Sequence, residues 1–467
     1  MEKTLLRSRL PMTFPTTVPV RPTGPKVFTK SRLVTFLVAG ICYLFISLLM
    51  SCSRISNENA LPASGSTITS SMESYWLSDG AARASAFKEL SNLRYDAMDI
   101  ILKDADVALR NDSVYSVVLK PQVAPSGDAH DYLSLAKYFW RNPDTPDGLP
   151  YIRRDGYVNP EVETVQDYRL LRQMLREVYR LGLAFQLTGN ETYAVKASDR
   201  LYEWFVNPET KMNPHFHWGS LRKGNTHGSR TGILDMYPIY RVIQIMPHLQ
   251  KSPSYSPQLH DALVEWFSLY WEWLSTSSLA SQESKGVNNH GTYYDVQVIP
   301  IARFLNKHDV AKEIATHALS VRVNRQIKAN GWQHHETSRP TSWFYSVFNL
   351  QGLFLLAQQC QMAGVDMWHY VGPEGQSIKT ALDYLIPFAL NQGQGWPYSN
   401  LNGYPVTNLV PLVEIGYLKW GDEAYLHAMP LLRAMAEKER DTNHNTRPLS
   451  DFFCQMSELL GDNEFVC

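Results

Sequence analysis

From Asp167 to Thr188, Leu171, Met174, Leu175, Val178, Leu181 and Phe185 share one face of a 3.6-residue period, and Gly189 stands where a left-handed residue closes such a helix. A second helix follows at once, because Glu191 to Phe205 spaces Tyr193, Ala197, Leu201 and Trp204 in the same way. Two amphipathic helices joined this tightly are constrained to a hairpin. The pattern continues at 257–275, 296–305, 310–321, 342–362, 378–390 and 409–437, with little strand alternation. Repeated hairpins without strands predict an all-α fold, an α/α toroid or incomplete barrel of antiparallel helical hairpins, although no sequence repeat fixes their number. Polar and aromatic loops at 139–165, 211–232, 281–297 and 391–408 are the predicted walls of a cleft.

The amino terminus reads as an address rather than as fold. Residues 1–32 are rich in Lys, Arg and Pro, and Leu33 to Met50 is nearly unbroken apolar sequence, long enough to cross a bilayer. Leu49-Met50-Ser51-Cys52 resembles a bacterial lipoprotein box, which makes Cys52 the expected lipidation site, with an uncleaved signal-anchor as the alternative. Either way the expected location is the cell envelope, periplasmic or surface-facing and membrane-anchored. Residues 1–51 are therefore the extension and signal segment, 52–72 a Ser/Asn/Ala-rich tether without apolar period, and 73–467 one helical domain.

Composition narrows the partners. A net charge of −1 without a basic run gives no electrostatic footprint for nucleic acid. The chain carries 12 Trp and 25 Tyr, enough to line a sugar-stacking groove as well as a helical core. If the ligand is a polyanion, a nearly neutral chain must concentrate its positive charge in the cleft. The five cysteines form no framework, and a Cys454–Cys467 pair is left open. A monomer is expected.

The chemistry is concentrated in Asn288-Asn289-His290-Gly291-Thr292-Tyr293-Tyr294-Asp295, in Glu336-Thr337-Ser338-Arg339, and in Tyr345. An amide and a guanidinium can neutralise a carboxylate and acidify the adjacent C–H, while a phenol or imidazole removes that proton and protonates a leaving oxygen. That set suits β-elimination from a uronic acid polymer and needs no cofactor. Asn289-His290 is expected in a loop before the 296–305 helix, and Tyr345 in the first turns of the 342–362 helix. A phenol beside Arg and a protonated His can titrate below its usual value, which would make a phenolate base reachable.

Several ordered segments resemble the alginate lyase family of toroid-fold polysaccharide lyases, over roughly residues 125–405. They are His130-Asp131-Tyr132, Tyr138-Phe139-Trp140, Asn142 to Tyr151, Trp204-Phe205 with Lys211-Met212-Asn213-Pro214, Gly232-Ile233-Leu234-Asp235, Asn288 to Gln297, and Trp396-Pro397-Tyr398. The resemblance implies that Asn289, His290 and Arg339 surround the uronate carboxylate. It implies Tyr345 as acid, and as base too when the C5 proton lies on the leaving-group side; for the opposite epimer His290 is the base. Tyr138, Trp140, Asn213, His215, Trp218, Arg230, Tyr294, Glu336 and Trp396 are the expected substrate contacts.

Other readings make distinct demands. His215, His217, His227, His290, His334 and His335 match no metal-ligand spacing, so no metal is expected. A non-catalytic glycan-binding lipoprotein would need the aromatic platforms and anchor but not the Asn-His-Arg-Tyr set. A glycoside hydrolase on the same architecture would need two carboxylates at a defined separation, with Asp155, Asp235, Asp295 and Glu336 as candidates. Sequence does not distinguish mannuronate from guluronate or glucuronate, nor endo from exo cutting.

Overall fold

Helix α1 (Asp167–Thr188) runs the predicted length and buries Leu171, Met174, Leu175, Val178 and Leu181. Gly189 ends it at φ 66°, in the left-handed region where a side chain would be strained. Asn190 then caps α2 (Glu191–Phe205) by accepting from the Thr192 N–H at 3.1 Å. The computed structural model describes residues 98–442, with side chains through 439. The chain divides into two units between Ser74 and Tyr75, and every described residue belongs to the second. The leader, the tether, Cys52, Cys454 and Cys467 lie outside the described residues. Among those described, no helix is long and apolar enough to cross a membrane, and Cys360 is a buried free thiol.

Further helices include α3 (Ile239–Leu249), α4 (Pro257–Thr276), α5 (Ser278–Ser284), α6 (Asn289–Phe304), α7 (His308–Ala318), α8 (Ser342–Met362), α9 (Ile378–Leu390), α10 (Val410–Trp420) and α11 (Glu423–Thr442). Sequential partners pack as α1/α2, α6/α7 and α10/α11, while α1–α3, α3–α6, α6–α8 and α8–α9 contacts string these pairs together around one apolar core. Gly182 allows the α1–α3 approach, since a Cβ there would fall 2.3 Å from Ile245 Cγ1.

Three expectations need correction. The 409–437 segment is two helices, because Gly421 adopts φ 64° and its N–H closes α10 on the Tyr417 carbonyl. Helix α6 begins at Asn289 rather than near 296, capped by Asn288, so the Asn-His pair occupies a first helical turn instead of a loop. Short strands also exist: β1 (Leu133–Leu135) pairs parallel with β4 (Trp218–Leu221), and β2 (Phe139–Trp140) pairs antiparallel with β3 (Ile152–Arg153). Strands this brief are too short for a period of two to register in sequence.

Helices α6 and α8 are buried on almost every face, so their polar side chains must find partners inside the protein. Thr292 donates to Asn349, and Asn349 donates to both Gln326 and Gln333, each at 2.9 Å. This relay bolts the first turns of α6 to α8. It fixes Asn289 and His290 relative to Tyr345.

Candidate active site

A cleft of about 1520 Å³ opens over the amino-terminal ends of α6 and α8, and Asn289, His290, Arg339 and Tyr345 all line it. It exceeds the roughly 300–1,000 Å³ of small-molecule pockets and suits an extended ligand. Lys137, Arg153, Arg169, Arg172, Arg222, Arg230, Arg241, Lys285 and Arg339 face it, against the carboxylates Glu163 and Asp235 alone. A chain of net charge −1 thus concentrates cations in one groove, as a polyanion ligand would require.

The Asn289 end is built from the cap outward. Asn288 accepts from the His290 N–H at 3.4 Å, while Glu336 accepts from both the Asn289 N–H (2.6 Å) and its side-chain amide (2.7 Å). Glu336 is 1% exposed, and burial raises its carboxyl to about 7 despite the two Asn289 donors and the charge of Arg339. Arg322, from the π-helical turn Leu319–Val323, donates to Gly286 O and Ser284 O and forks onto Asp295, clamping the preceding loop against α6. Gly291 leaves the room, since a Cβ there would lie 2.1 Å from Gly286 O and 2.3 Å from an Arg322 nitrogen.

His290 Nδ1 lies 2.5 Å from the buried Glu283, which also takes the Arg230 guanidinium. A carboxylate accepts, so Nδ1 carries the hydrogen and Nε2 remains the acceptor of the ring. The positive end of the α6 dipole adds to the attraction for an anion at this turn.

At the other wall, Asp155 accepts from Arg339 Nε at 2.8 Å and Nη2 at 2.6 Å. The same Nη2 donates to the Tyr345 hydroxyl at 2.8 Å, and the guanidinium carbon lies 3.9 Å from the Tyr345 ring centroid. Tyr138 OH is 3.0 Å from Tyr345 OH. Burial, reinforced by Tyr138, holds the Tyr345 phenol well above its ordinary range, and Arg339 only partly offsets this. The expected depression is reversed, because the phenol sits in a dry wall beside a second phenol. In this state Tyr345 is a proton donor.

Among the other expected contacts, Tyr138 and Arg230 line the cleft. The rest are placed differently. Glu336 is buried beneath Asn289 and supports it from behind. Tyr294 is buried and absent from the cleft lining; its neighbour Tyr293 is buried as well, donating to the Phe348 carbonyl at 2.9 Å, and contributes to the cleft wall. Trp396 is buried against Trp343 and donates to Ser342 Oγ at 2.8 Å. Trp140 donates to the Tyr157 carbonyl at 3.0 Å outside the cleft lining. Asn213, His215 and Trp218 converge on Asp131 at 2.7, 3.1 and 3.0 Å, also away from the cleft.

The carboxylates that a hydrolase would need are engaged by the protein. Asp155 holds Arg339, Asp295 holds Arg322, Glu336 holds Asn289, and Asp235 accepts from Tyr132 and Ser134. Among the described residues no group of three or more His, Cys, Asp or Glu is placed to hold a metal. Sequence reading missed Glu283 and the cations Lys137, Arg172 and Arg241. Tyr168 and Arg172, four apart and so on one face of α1, were the available signal.

A family model described as alginate lyase matches residues 116–396. An alginate lyase from Bacteroides ovatus is similar in structure, with a TM-score of 0.70 at 31% identity, covering 79% of this chain and 97% of that one. Alginate lyase A1-III from a Sphingomonas species gives 0.45 at 15% identity, covering 70% of this chain and 89% of its own. A substituted form of A1-III bound to a tetrasaccharide gives 0.47 at 15%, covering 70% and 88%. Curated proteins gave no match.

Proposed function

The chain belongs to the alginate lyase family and is a polysaccharide lyase, and from that premise we propose that it cuts alginate or a related 4-O-linked polyuronate by β-elimination. The observation that carries this reading is the convergence of Asn289, His290, Arg339 and Tyr345 on one cation-rich cleft. The Bacteroides ovatus relative, by name an alginate lyase, supports the substrate class. Serial packing of neighbouring hairpins supports an α/α toroid as the frame.

In the proposed reaction the Asn289 amide and the free Arg339 Nη1 receive the uronate carboxylate, with His290 beside them. Fixed donors there stabilise the charge that builds when the C5–H bond breaks. A C4=C5 double bond forms, the C4–O bond breaks with its electron pair on oxygen, and that oxygen takes a proton from Tyr345. With its Nδ1 hydrogen on Glu283, His290 presents Nε2 as the base for substrates whose C5 proton faces it. For the other epimer the base is the Tyr345 phenolate, formed by loss of the hydroxyl proton to solvent and stabilised by the Arg339 guanidinium; it takes the C5 proton and returns it to the leaving oxygen. Glu283 and Glu336 act as positioning residues, fixing the imidazole tautomer and the amide rotamer.

The test is incubation of the purified protein with alginate, glucuronan and glycosaminoglycans, following near-ultraviolet absorbance of the unsaturated product. Absence of a double bond in every digest sinks the reading. We further propose that Cys52 tethers the enzyme to the envelope, on the strength of the Leu33–Cys52 sequence. Metabolic fatty-acid labelling should mark the wild-type chain and not Cys52→Ala.

A further inference from the structure

We propose that Lys137 and Arg172, framed by the Tyr168 and Tyr237 rings, form a second carboxylate subsite that holds a uronate next to the unit being cut. The inference deepens the lyase reading and rests on it. Lys137 Nζ lies 4.2 Å from the Tyr168 ring centroid and 3.1 Å from its hydroxyl. The Arg172 guanidinium carbon lies 4.6 Å from the Tyr237 ring and 5.8 Å from the Tyr168 ring, and Nη2 donates to Tyr237 OH at 3.2 Å. Both cations line the cleft, and Lys137 is open to solvent.

Among the described residues neither cation forms an ion pair; their direct contacts are phenols and ring faces, and the buried Asp235 acts on both only through its field. The acid of this stretch, Asp235, already accepts from Tyr132 at 2.9 Å and Ser134 at 2.7 Å, and burial pushes its carboxyl above the usual range. Two like charges held rigidly by aromatic props repel each other, and a bound anion relieves that repulsion. The chemistry favours a carboxylated sugar over a bare anion. Ammonium and guanidinium groups take the carboxylate, while the ring faces offer a surface for a pyranose.

The location fits an adjacent sugar. Lys137 precedes Tyr138, whose hydroxyl is 3.0 Å from Tyr345 OH. The Tyr237 ring lies 4.5 Å from Tyr293, one helical turn beyond Asn289 on α6. A chain seated at Asn289 and Tyr345 therefore has this platform beside it.

Calorimetric titration tests the proposal, using a saturated oligomannuronate hexasaccharide and its carboxyl-reduced neutral counterpart in a Tyr345→Phe background that leaves the sugar uncut. Lys137→Met and Arg172→Met should each weaken hexasaccharide binding about tenfold or more, the loss of one charge-assisted contact. The neutral sugar should bind weakly to all proteins, and Lys312→Met on the outer face of α7 should change nothing. Wild-type affinity in both variants overturns the subsite, as does equal affinity for acidic and neutral sugars or no measurable hexasaccharide binding. If Arg172→Met does not fold, the exposed Lys137 decides alone. Charge-dependent binding that Lys137→Met weakens, without unsaturated product from the wild type, sinks the lyase reading and leaves the subsite standing. Product formation with unchanged affinities does the reverse.

Discussion

The first turn of α6 and the cluster around Asp131 are built from the same residue types, yet only one faces the cleft. At α6, Glu336 and Glu283 sit behind Asn289 and His290 and take one or two donors from each, leaving the second amide hydrogen and the imidazole Nε2 for a ligand. Around Asp131, Ser126, Asn213, His215 and Trp218 all converge on a single carboxylate. That cluster ties the β1 and β4 segments together outside the cleft lining. Residue type is the same in both; the direction of the unsatisfied atoms differs.

The contrast can be broken by substitution on either side. Tyr345→Phe removes the phenol bonded to Arg339 and should lower kcat by about 10²–10⁴-fold, followed by double-bond absorbance, while oligosaccharide binding persists. Asn289→Ala should cost about 10²–10³-fold in kcat, the value of one fixed donor at the developing charge. Wild-type turnover in both would refute the assignment of the cleft. Glu283→Gln should cost less, roughly 10–10²-fold, as an outer support whose loss frees the imidazole tautomer. Nitrogen NMR of His290 should then show the hydrogen redistributed between Nδ1 and Nε2, and an unchanged tautomer would discard the positioning role.

On the Asp131 side, Asn213→Ala and His215→Ala should leave kcat near wild type and lower stability by about 1–3 kcal/mol each, measured by chemical denaturation. A large kcat loss there would erase the distinction between the clusters. The two carboxyls also predict opposite pH behaviour. Glu336 is raised to about 7 by burial, so its contribution to stability is full below the ordinary value of 4.5 and is lost as pH rises through about 7. Burial opposes the charge of Asp131 too, but hydrogen bonds from His215, Asn213 and Ser126 hold it well below the ordinary 3.8. Its contribution is present above 3.8 and is lost on acidification. Melting temperature against pH should lose the neutral-side slope in Glu336→Gln and the acid-side slope in Asp131→Asn.

Much of this was legible in the chain. The ends of α1, α2, α8 and α9 follow from apolar spacing and from Gly189 and Asn190 as punctuation, since these are local properties. Asn289, His290, Arg339 and Tyr345 stood out because amide, imidazole, guanidinium and phenol have one obvious joint use. Trp218, Trp396 and Tyr294 misled because a large aromatic reads the same whether it faces sugar or core. One residue of helical rotation separates Tyr294 from Tyr293, which contributes to the cleft wall.

Sequence by itself determined the helical hairpins, the polar residues proposed for the elimination and the need for a local positive field in a neutral chain. Only tertiary structure decided which polar groups stay available. It set Glu283 and Glu336 behind the first turn of α6, closed Asp131 on its own donors, and grouped Lys137 with Arg172 across elements distant in sequence. Hydrogen-bond capacity is fixed by residue type, but whether the protein or a ligand fills it depends on long-range packing, which no local pattern encodes.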